Sequence, residues 1–256
     1  MANYHLFVKK VSRGQGRSVV EAAAYRSGEK LICNYYGKSY DYTHKSGICH
    51  TEILLPENAP LEYYDRQTLW NAVEESEKRI DSRLARELEM SLPNELTLDE
   101  QIKLVRSFVT THFVSQGMCA DIAIHEGKNQ NPSHNNPHTH ILLTTRHIDA
   151  DGFHSKNRDW DKRSNVSPWR EQWADAQNKE YRHKDLNIQV NPGSYEKQCI
   201  DKEPTKYLGR RVTALERQGF LTERGNQNRS IKNQNKEREE RKQKQRERSR
   251  EHGRAR

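Results

Sequence analysis

Apolar residues in this chain recur in short alternating or helically spaced runs through most of its length, then nearly vanish from about Asn226 onward. Tyr4 to Val11 reads as a first strand, and Ser12-Arg13-Gly14-Gln15-Gly16 as a loop. Ser18 precedes Glu21 by three residues, a capping-box spacing that opens a helix through Val19, Val20 and Ala22-Ala23-Ala24 to about Ser27. Short aromatic-rich strands are predicted around Leu31 to Tyr42, and a further strand from Ile48 to Leu55. Leu69, Trp70 and Val73 give Asp65 to Arg79 a helical period, whereas Leu88, Met90 and Leu92 alternate as a strand before Pro93. Thr97 and Glu100 form a second capping box ahead of a helix of about 20 residues, with Ile102, Leu104, Val105, Phe108 and Val109 on its apolar side. Segments 119–126 and 138–146 are expected to be neighbouring antiparallel strands joined by the polar loop Gly127 to Pro137. Asp149 to Asn165 reads as a long polar loop, and Ser167-Pro168 as the start of a helix carrying Trp169 and Trp173. Tyr207 to Gln218 can form another helix.

Strands with interspersed helices and no strict βαβ alternation predict an α+β fold: an antiparallel sheet of about five central strands with helices packed on it. The expected organisation is a globular domain over 1–200, a helical extension over 201–231 and a basic tail over 232–256, helical or disordered. At 256 residues, 32% hydrophobic and 31% charged, the chain can build one sizeable core. Its formal charge is +8, and the 11 Lys/Arg and 5 Glu from Lys232 to Arg256 put +6 of it in the tail. A basic tail on a chain of pI 9.2 suggests a polyanion, nucleic acid foremost; a solvated helix that only aids solubility is the bland alternative. The four cysteines, Cys33, Cys49, Cys119 and Cys199, form no CxxC pair, which argues against a disulfide scaffold and a thiolate zinc site. With no leader-like N-terminus and no long apolar run, a cytoplasmic protein that spans no membrane is expected.

The densest chemistry lies in Pro137-His138-Thr139-His140. Residues i and i+2 of a strand share a face, so the two imidazoles stand side by side while Thr139 and Ile141 turn away. His125 ends the preceding strand about where His138 begins the next, so three rings can converge while Ile122, Ile124, Ile141 and Leu143 face a core. Three neutral imidazoles leave a divalent ion its full charge and open positions, as catalytic sites do. Such an ion can polarise a phosphoryl oxygen or activate water. Tyr25, near the end of the first predicted helix, is a candidate nucleophile that would favour the first use: a phosphotyrosine is a good leaving group and retains the bond energy for rejoining. It is one of 11 tyrosines, and packing is the competing explanation.

Four ordered motifs identify a family. Ala22-Ala23-Ala24-Tyr25-Arg26-Ser27-Gly28; Tyr40-Asp41-Tyr42 with Glu52-Ile53-Leu54-Leu55-Pro56; Ala85-Arg86-Glu87 with Leu92-Pro93-Asn94-Glu95; and Asn136-Pro137-His138-Thr139-His140 resemble the MobA/MobL plasmid mobilisation relaxases, which are HUH endonucleases. The resemblance runs through roughly residues 1–220. It implies an HUH endonuclease-like fold, Tyr25 as catalytic tyrosine, and His125, His138 and His140 as ligands of a divalent metal, Mn2+ or Mg2+ foremost, with Zn2+ and Ni2+ also suited to three histidines. Glu87 matches an acidic residue near the site that orients or deprotonates Tyr25 or steers a metal ligand; Asp121, on the same face as His125 by parity, is the weaker alternative. The implied reaction is strand-specific nicking and rejoining of DNA through a 5′-phosphotyrosyl intermediate, on single-stranded DNA at a plasmid origin of transfer in a bacterial cytoplasm. Accessory mobilisation proteins and a conjugative coupling protein are the implied partners. Arg13, Arg17, Arg26, Tyr35, Tyr36, Lys156, Arg158, Trp160 and Arg163 are the candidate DNA contacts, chosen because they flank the site in polar or Gly-rich loops. Three competing readings remain: a rolling-circle initiator or transposase of the same class using Tyr181 or Tyr195, a phosphoesterase using activated water, and a non-enzymatic basic DNA-binding module.

Overall fold

The computed structural model describes residues 4–127 and 135–254, so the middle of the expected Gly127–Pro137 connection lies outside the described residues. The chain divides into two compact units, Met1–Pro192 and Gly193–Arg256. The first is built on five strands: β1 (Leu6–Ser12), β4 (Ile48–Leu54), β5 (Arg83–Ser91), β6 (Ala120–His125) and β7 (His138–Leu143). They form one antiparallel sheet in the order β1-β5-β7-β6-β4, which puts the histidine strand β7 at its centre.

Alternation along these strands decides what each face meets. Leu88, Met90, Ile122, Ile124, Ile141 and Leu143 project to one side. There they pack on α3 (Leu98–His112), through Leu104, Val105, Phe108 and Val109, and on α4 (Val166–His183), through Trp169 and Trp173. The other side is divided along its length. Val11, Ile53, Ala85 and Leu142 are covered by α1 (Val19–Ser27) and α2 (Arg66–Ser76), with Ala22, Ala23, Ala24, Leu69, Trp70 and Val73 in the same cluster. The remainder of that face, toward Ser91, His138 and His125, carries mostly polar side chains, with Phe7 exposed among them. The three alanines of α1 add no bulk against the sheet, and each large side chain fully buried in these layers contributes about 1.5–3 kcal/mol.

Local signals set most boundaries. The Ser18 hydroxyl accepts from the Val20 and Glu21 amides, while the Glu21 carboxylate, expected to close a reciprocal box, takes the Tyr42 hydroxyl at 3.3 Å instead. Thr97 and Glu100 do form the full box, but α3 stops at 15 residues because the chain tightens into a 3-10 turn, Val114–Gln116, before Gly117 at φ +96°. Asp65 lies outside the second helix as its cap, accepting from the Thr68 amide, and the helix ends at Ser76 rather than Arg79. α4 begins at Val166 without a side-chain cap, and Pro168 occupies its first turn.

The aromatic-rich segment forms a hairpin of β2 (Lys30–Cys33) and β3 (Lys38–Asp41). The polar stretch expected as a loop over 149–165 instead holds β9 (Gly152–Lys156), paired with β8 (Arg146–Asp149), and two 3-10 turns. Gly152 turns this hairpin at φ +101°, and Phe153 stacks on Tyr63 at 5.3 Å. The hairpin's other anchors are scattered, Ile148 on the same core cluster, His147 against Trp160, and Arg146 and Lys156 on Glu77, so no apolar alternation announced it.

In the second unit, α5 (Gly209–Arg217) and α6 (Glu223–Arg254) follow an irregular stretch. Asn228 and Asn235 of α6 each exchange hydrogen bonds with backbone of the 203–206 segment, and Arg229 pairs with Glu216 at 2.6 Å. Further along, Lys236–Glu240 and Glu237–Arg241 lie one turn apart, pairs worth about 0.3–0.5 kcal/mol each. No helix among the described residues is long and apolar enough to cross a membrane.

Candidate metal and nucleophile site

Register alone brings the histidines together. His125 is paired directly with His138 across β6 and β7, and His140 lies two residues further along the same face. Ring centroids stand 5.0 to 5.3 Å apart in all three pairs, and one candidate ligand atom from each ring lies within 4.8 Å of the others. Thr139 points the opposite way into the core, donating to the Ala123 carbonyl at 3.3 Å.

Each ring is held from outside by an acceptor. His125 donates Nε2–H to the Arg26 carbonyl (2.8 Å), His138 donates Nδ1–H to the Asn136 carbonyl (2.8 Å), and His140 donates Nδ1–H to Glu87 Oε1 (2.9 Å). Those bonds fix tautomer and orientation and leave one unprotonated nitrogen per ring. Burial drives the His125 pKa down to about 4 against the opposing hydrogen bond to Arg26, and burial likewise lowers that of His140 against the pull of Glu87. Both are thus neutral at physiological pH, the form that binds metal. This donor set fits a divalent ion.

Glu87 is fully buried, unlike a surface carboxylate on an alternating strand. Burial pushes its carboxyl upward, but the His140 hydrogen bond and the Arg26 guanidinium outweigh it and bring it down to about 2. Arg26 reaches it through Nε (2.8 Å) and Nη2 (2.5 Å). A carboxylate so engaged is a poor base for a phenol. Its contacts suit the other role anticipated for it, orienting a metal ligand. Asp121 is fully committed elsewhere: both its oxygens take the Arg66 guanidinium (2.9 and 3.0 Å), and Oδ2 also takes the Trp70 indole N–H (2.7 Å).

Tyr25 sits in the last turn of α1, 47% exposed. The next residue, Arg26, touches both the triad and Glu87, so the helix end is tied to the histidines by backbone and side chain together. The Tyr25 ring packs edge-on against Tyr42 (5.2 Å), and Lys45 Nζ lies 4.0 Å from its centroid while donating to the Tyr25 carbonyl at 2.7 Å. Tyr42 belongs to the Tyr40-Asp41-Tyr42 motif but nothing in the sequence placed it against Tyr25, and Lys45 carried no signal, because it lies in a polar turn whose approach to α1 is set by the fold. Of the competing tyrosines, Tyr181 is buried, its phenol pushed well above the usual range by burial and by Glu95, which rules out its use as an accessible nucleophile. Tyr195 belongs to the second unit.

The expected DNA contacts separate sharply. Arg13 is 4% exposed, spending its guanidinium on Glu74 and on the carbonyls of Glu74, Glu77 and Arg79; Arg26 is spent on Glu87; and Trp160 is packed in the core against His147. These three are corrections: positions in or near loops in the sequence proved to be interior, and the terminal guanidinium nitrogens of both arginines are engaged within the protein. Arg17 and Arg163 are exposed, as are Tyr35 and Tyr36, which meet edge-on at 4.8 Å with the Arg13 guanidinium against Tyr35. Lys156 and Arg158 line a cleft of about 770 Å3 with Lys78, Arg79, Arg83 and Arg146. Arg83 opens β5 and Glu89, opposite His140, lies six residues on, so cleft and triad are about 20 Å apart along the strand.

Residues 17–218 match the model of the MobA/MobL family. The chain is 35% identical over 248 residues to the conjugal transfer protein TraA of Agrobacterium fabrum, covering 85% of this chain and 22% of that one. It is 33% identical over 246 residues to the mobilization protein MobL of Acidithiobacillus ferridurans, covering 85% of this chain and 64% of the relative. A solved structure described as the molecular basis of vancomycin resistance transfer in Staphylococcus aureus superposes with a TM-score of 0.68 at 32% identity, over 75% of this chain and 99% of that one. This chain thus spans about a fifth of the length of the TraA relative. The family model covers most of the chain, and with these relatives it establishes that the chain belongs to the MobA/MobL family.

Proposed function

We propose that this chain is a relaxase: it nicks one strand of DNA at a plasmid origin of transfer and rejoins it, for conjugative mobilisation. The observation that carries the reading is the tie between the three-histidine cluster and the turn of α1 bearing Tyr25, made by the Arg26 carbonyl and guanidinium. His125, His138 and His140 would hold a divalent ion, Mn2+ or Mg2+ foremost, which would supply positive charge to offset the negative charge developing on the non-bridging oxygens of the scissile phosphate. Glu87 positions His140, and Arg26 positions Glu87. Tyr25 Oη attacks phosphorus; the Oη–P bond forms, the bond to the 3′ oxygen breaks, the phenol proton is lost to solvent and the leaving oxygen takes one up. The product is a 5′-phosphotyrosyl strand and a free 3′-hydroxyl, and the reverse reaction rejoins them.

Single-stranded origin DNA is the proposed substrate. Arg17, Tyr35, Tyr36, Arg158, Arg163 and the basic α6 are accessible to its phosphates and bases. Accessory mobilisation proteins and a coupling protein are the proposed partners. Incubation with an origin oligonucleotide and Mn2+ or Mg2+ should yield a slower-migrating covalent species that EDTA prevents and Tyr25→Phe abolishes. Cleavage without an adduct would instead identify a hydrolytic phosphoesterase, and salt-sensitive binding indifferent to chelators would identify a binding module.

A further inference from the structure

We propose that Lys45 is a positioning and charge-balancing residue for Tyr25, its ammonium holding the ring in place and stabilising the phenolate that attacks during nicking and departs during rejoining. The inference rests on the reading of Tyr25 as nucleophile. Helix α1 ends at Ser27, so the carbonyls of its last turn lack helical partners. Two of them are taken by side chains from outside the helix: Tyr25 O by Lys45 Nζ and Arg26 O by His125 Nε2. Lys45 therefore grips the nucleophile's backbone while its charge stands 4.0 Å from the ring centroid, close enough for a cation–π contact with the phenol and a Coulombic one with the phenolate. A cation also suits the negative end of the helix dipole.

Position is secured around it. Gly28, at φ +71°, ends α1 where a Cβ would meet Ile48 Cδ1 at 2.4 Å, so the chain leaves the helix there in a conformation that favours glycine. The Tyr42 ring packs edge-on against Tyr25 at 5.2 Å, with its hydroxyl held by Glu21. The charged and titratable groups around Lys45 and Tyr25 are Arg26 and Glu21 of α1, Tyr42 and His44 of the adjoining turn, and His125 of β6. Burial, with a smaller contribution from Arg26, lowers the Lys45 ammonium to about 8, so it is charged at neutral pH and gives up its proton on the mildly alkaline side.

The test compares Lys45→Met and Lys45→Arg with the unaltered chain. Lys45→Met should slow adduct formation at least tenfold at pH 7, with the gap closing as the pH passes about 8, where the unaltered chain itself loses the charge. Lys45→Arg, charged throughout, should restore most of the rate and keep its advantage above that pH. A rate deficit that does not change with pH, or rates within twofold of the unaltered chain, would overturn the proposal. Loss of metal affinity in Lys45→Met, measured by calorimetry, would do the same by showing that Lys45 merely props up His125. Nitration of Tyr25 by tetranitromethane in metal-free protein, read by peptide mass spectrometry, needs no catalysis and consumes the phenolate. It should slow severalfold in Lys45→Met and recover in Lys45→Arg; an unchanged or faster reaction counts against the proposal. Should Tyr25→Phe still form the adduct, the parent reading fails, while the nitration result still reports whether Lys45 acts on this phenol.

Discussion

Two buried carboxylates occupy one cross-strand row of the sheet, Glu87 on β5 and Asp121 on β6, with Leu142 of β7 between them. Each is clasped by an arginine from a helix on the same face, Arg26 of α1 and Arg66 of α2, and each accepts one further N–H. For Asp121 that donor is the indole of Trp70, whose ring is fully buried and has nothing more to offer. For Glu87 it is His140, whose second nitrogen faces two other imidazoles. The same carboxylate–arginine unit thus fastens a helix in one place and orients one imidazole of the three-histidine cluster in the other. What differs is whether the third partner has a free end.

Asp121→Ala should perturb the protein most, since it leaves Arg66 buried with only the partly exposed Glu29 for a partner. A loss of about 3–5 kcal/mol in urea unfolding is expected, and a loss under about 1 kcal/mol would mean that α2 is held by apolar packing alone. Next comes the pair Glu87→Gln and Asp121→Asn. Chelator competition should show metal affinity falling about 10–100-fold in the first and unchanged in the folded fraction of the second. Equal effects in both would mean that the two carboxylates do the same job. The smallest is Ser18→Ala, which removes the cap of the helix carrying Tyr25 and Arg26. Thermal melting should report a loss of about 1 kcal/mol with metal affinity intact; a matching drop in affinity would show that the far end of α1 also sets the site.

Strand alternation made the five-stranded sheet and the face shared by the three histidines legible, because side-chain direction in a strand depends only on parity. Helix starts were legible where Ser18 and Thr97 could cap. Helix ends were less so, since a pattern of apolar positions does not say where the chain turns, as Ser76 and His112 show. The β8–β9 hairpin was not legible because its anchors are distant in sequence, Phe153 on Tyr63 and Arg146 and Lys156 on Glu77. Arg13 and Arg26 looked like phosphate ligands because a basic residue near a loop is usually solvated; only their distant carboxylates, on Glu74 and Glu87, reveal that they are interior.

Residue types and their spacing were enough to show which residues could do chemistry here and which of them share a face: the His138–His140 spacing, the reach of His125, the motif around Tyr25. Tertiary structure decided what each group is free to do. It spent Asp121, Arg13 and Trp160 on the core, turned Glu87 from a candidate base into a brace for His140, and brought Lys45 against Tyr25. The physical reason is that burial and pairing partners set the charge state and availability of a polar side chain, and those partners come from segments that sequence spacing does not connect.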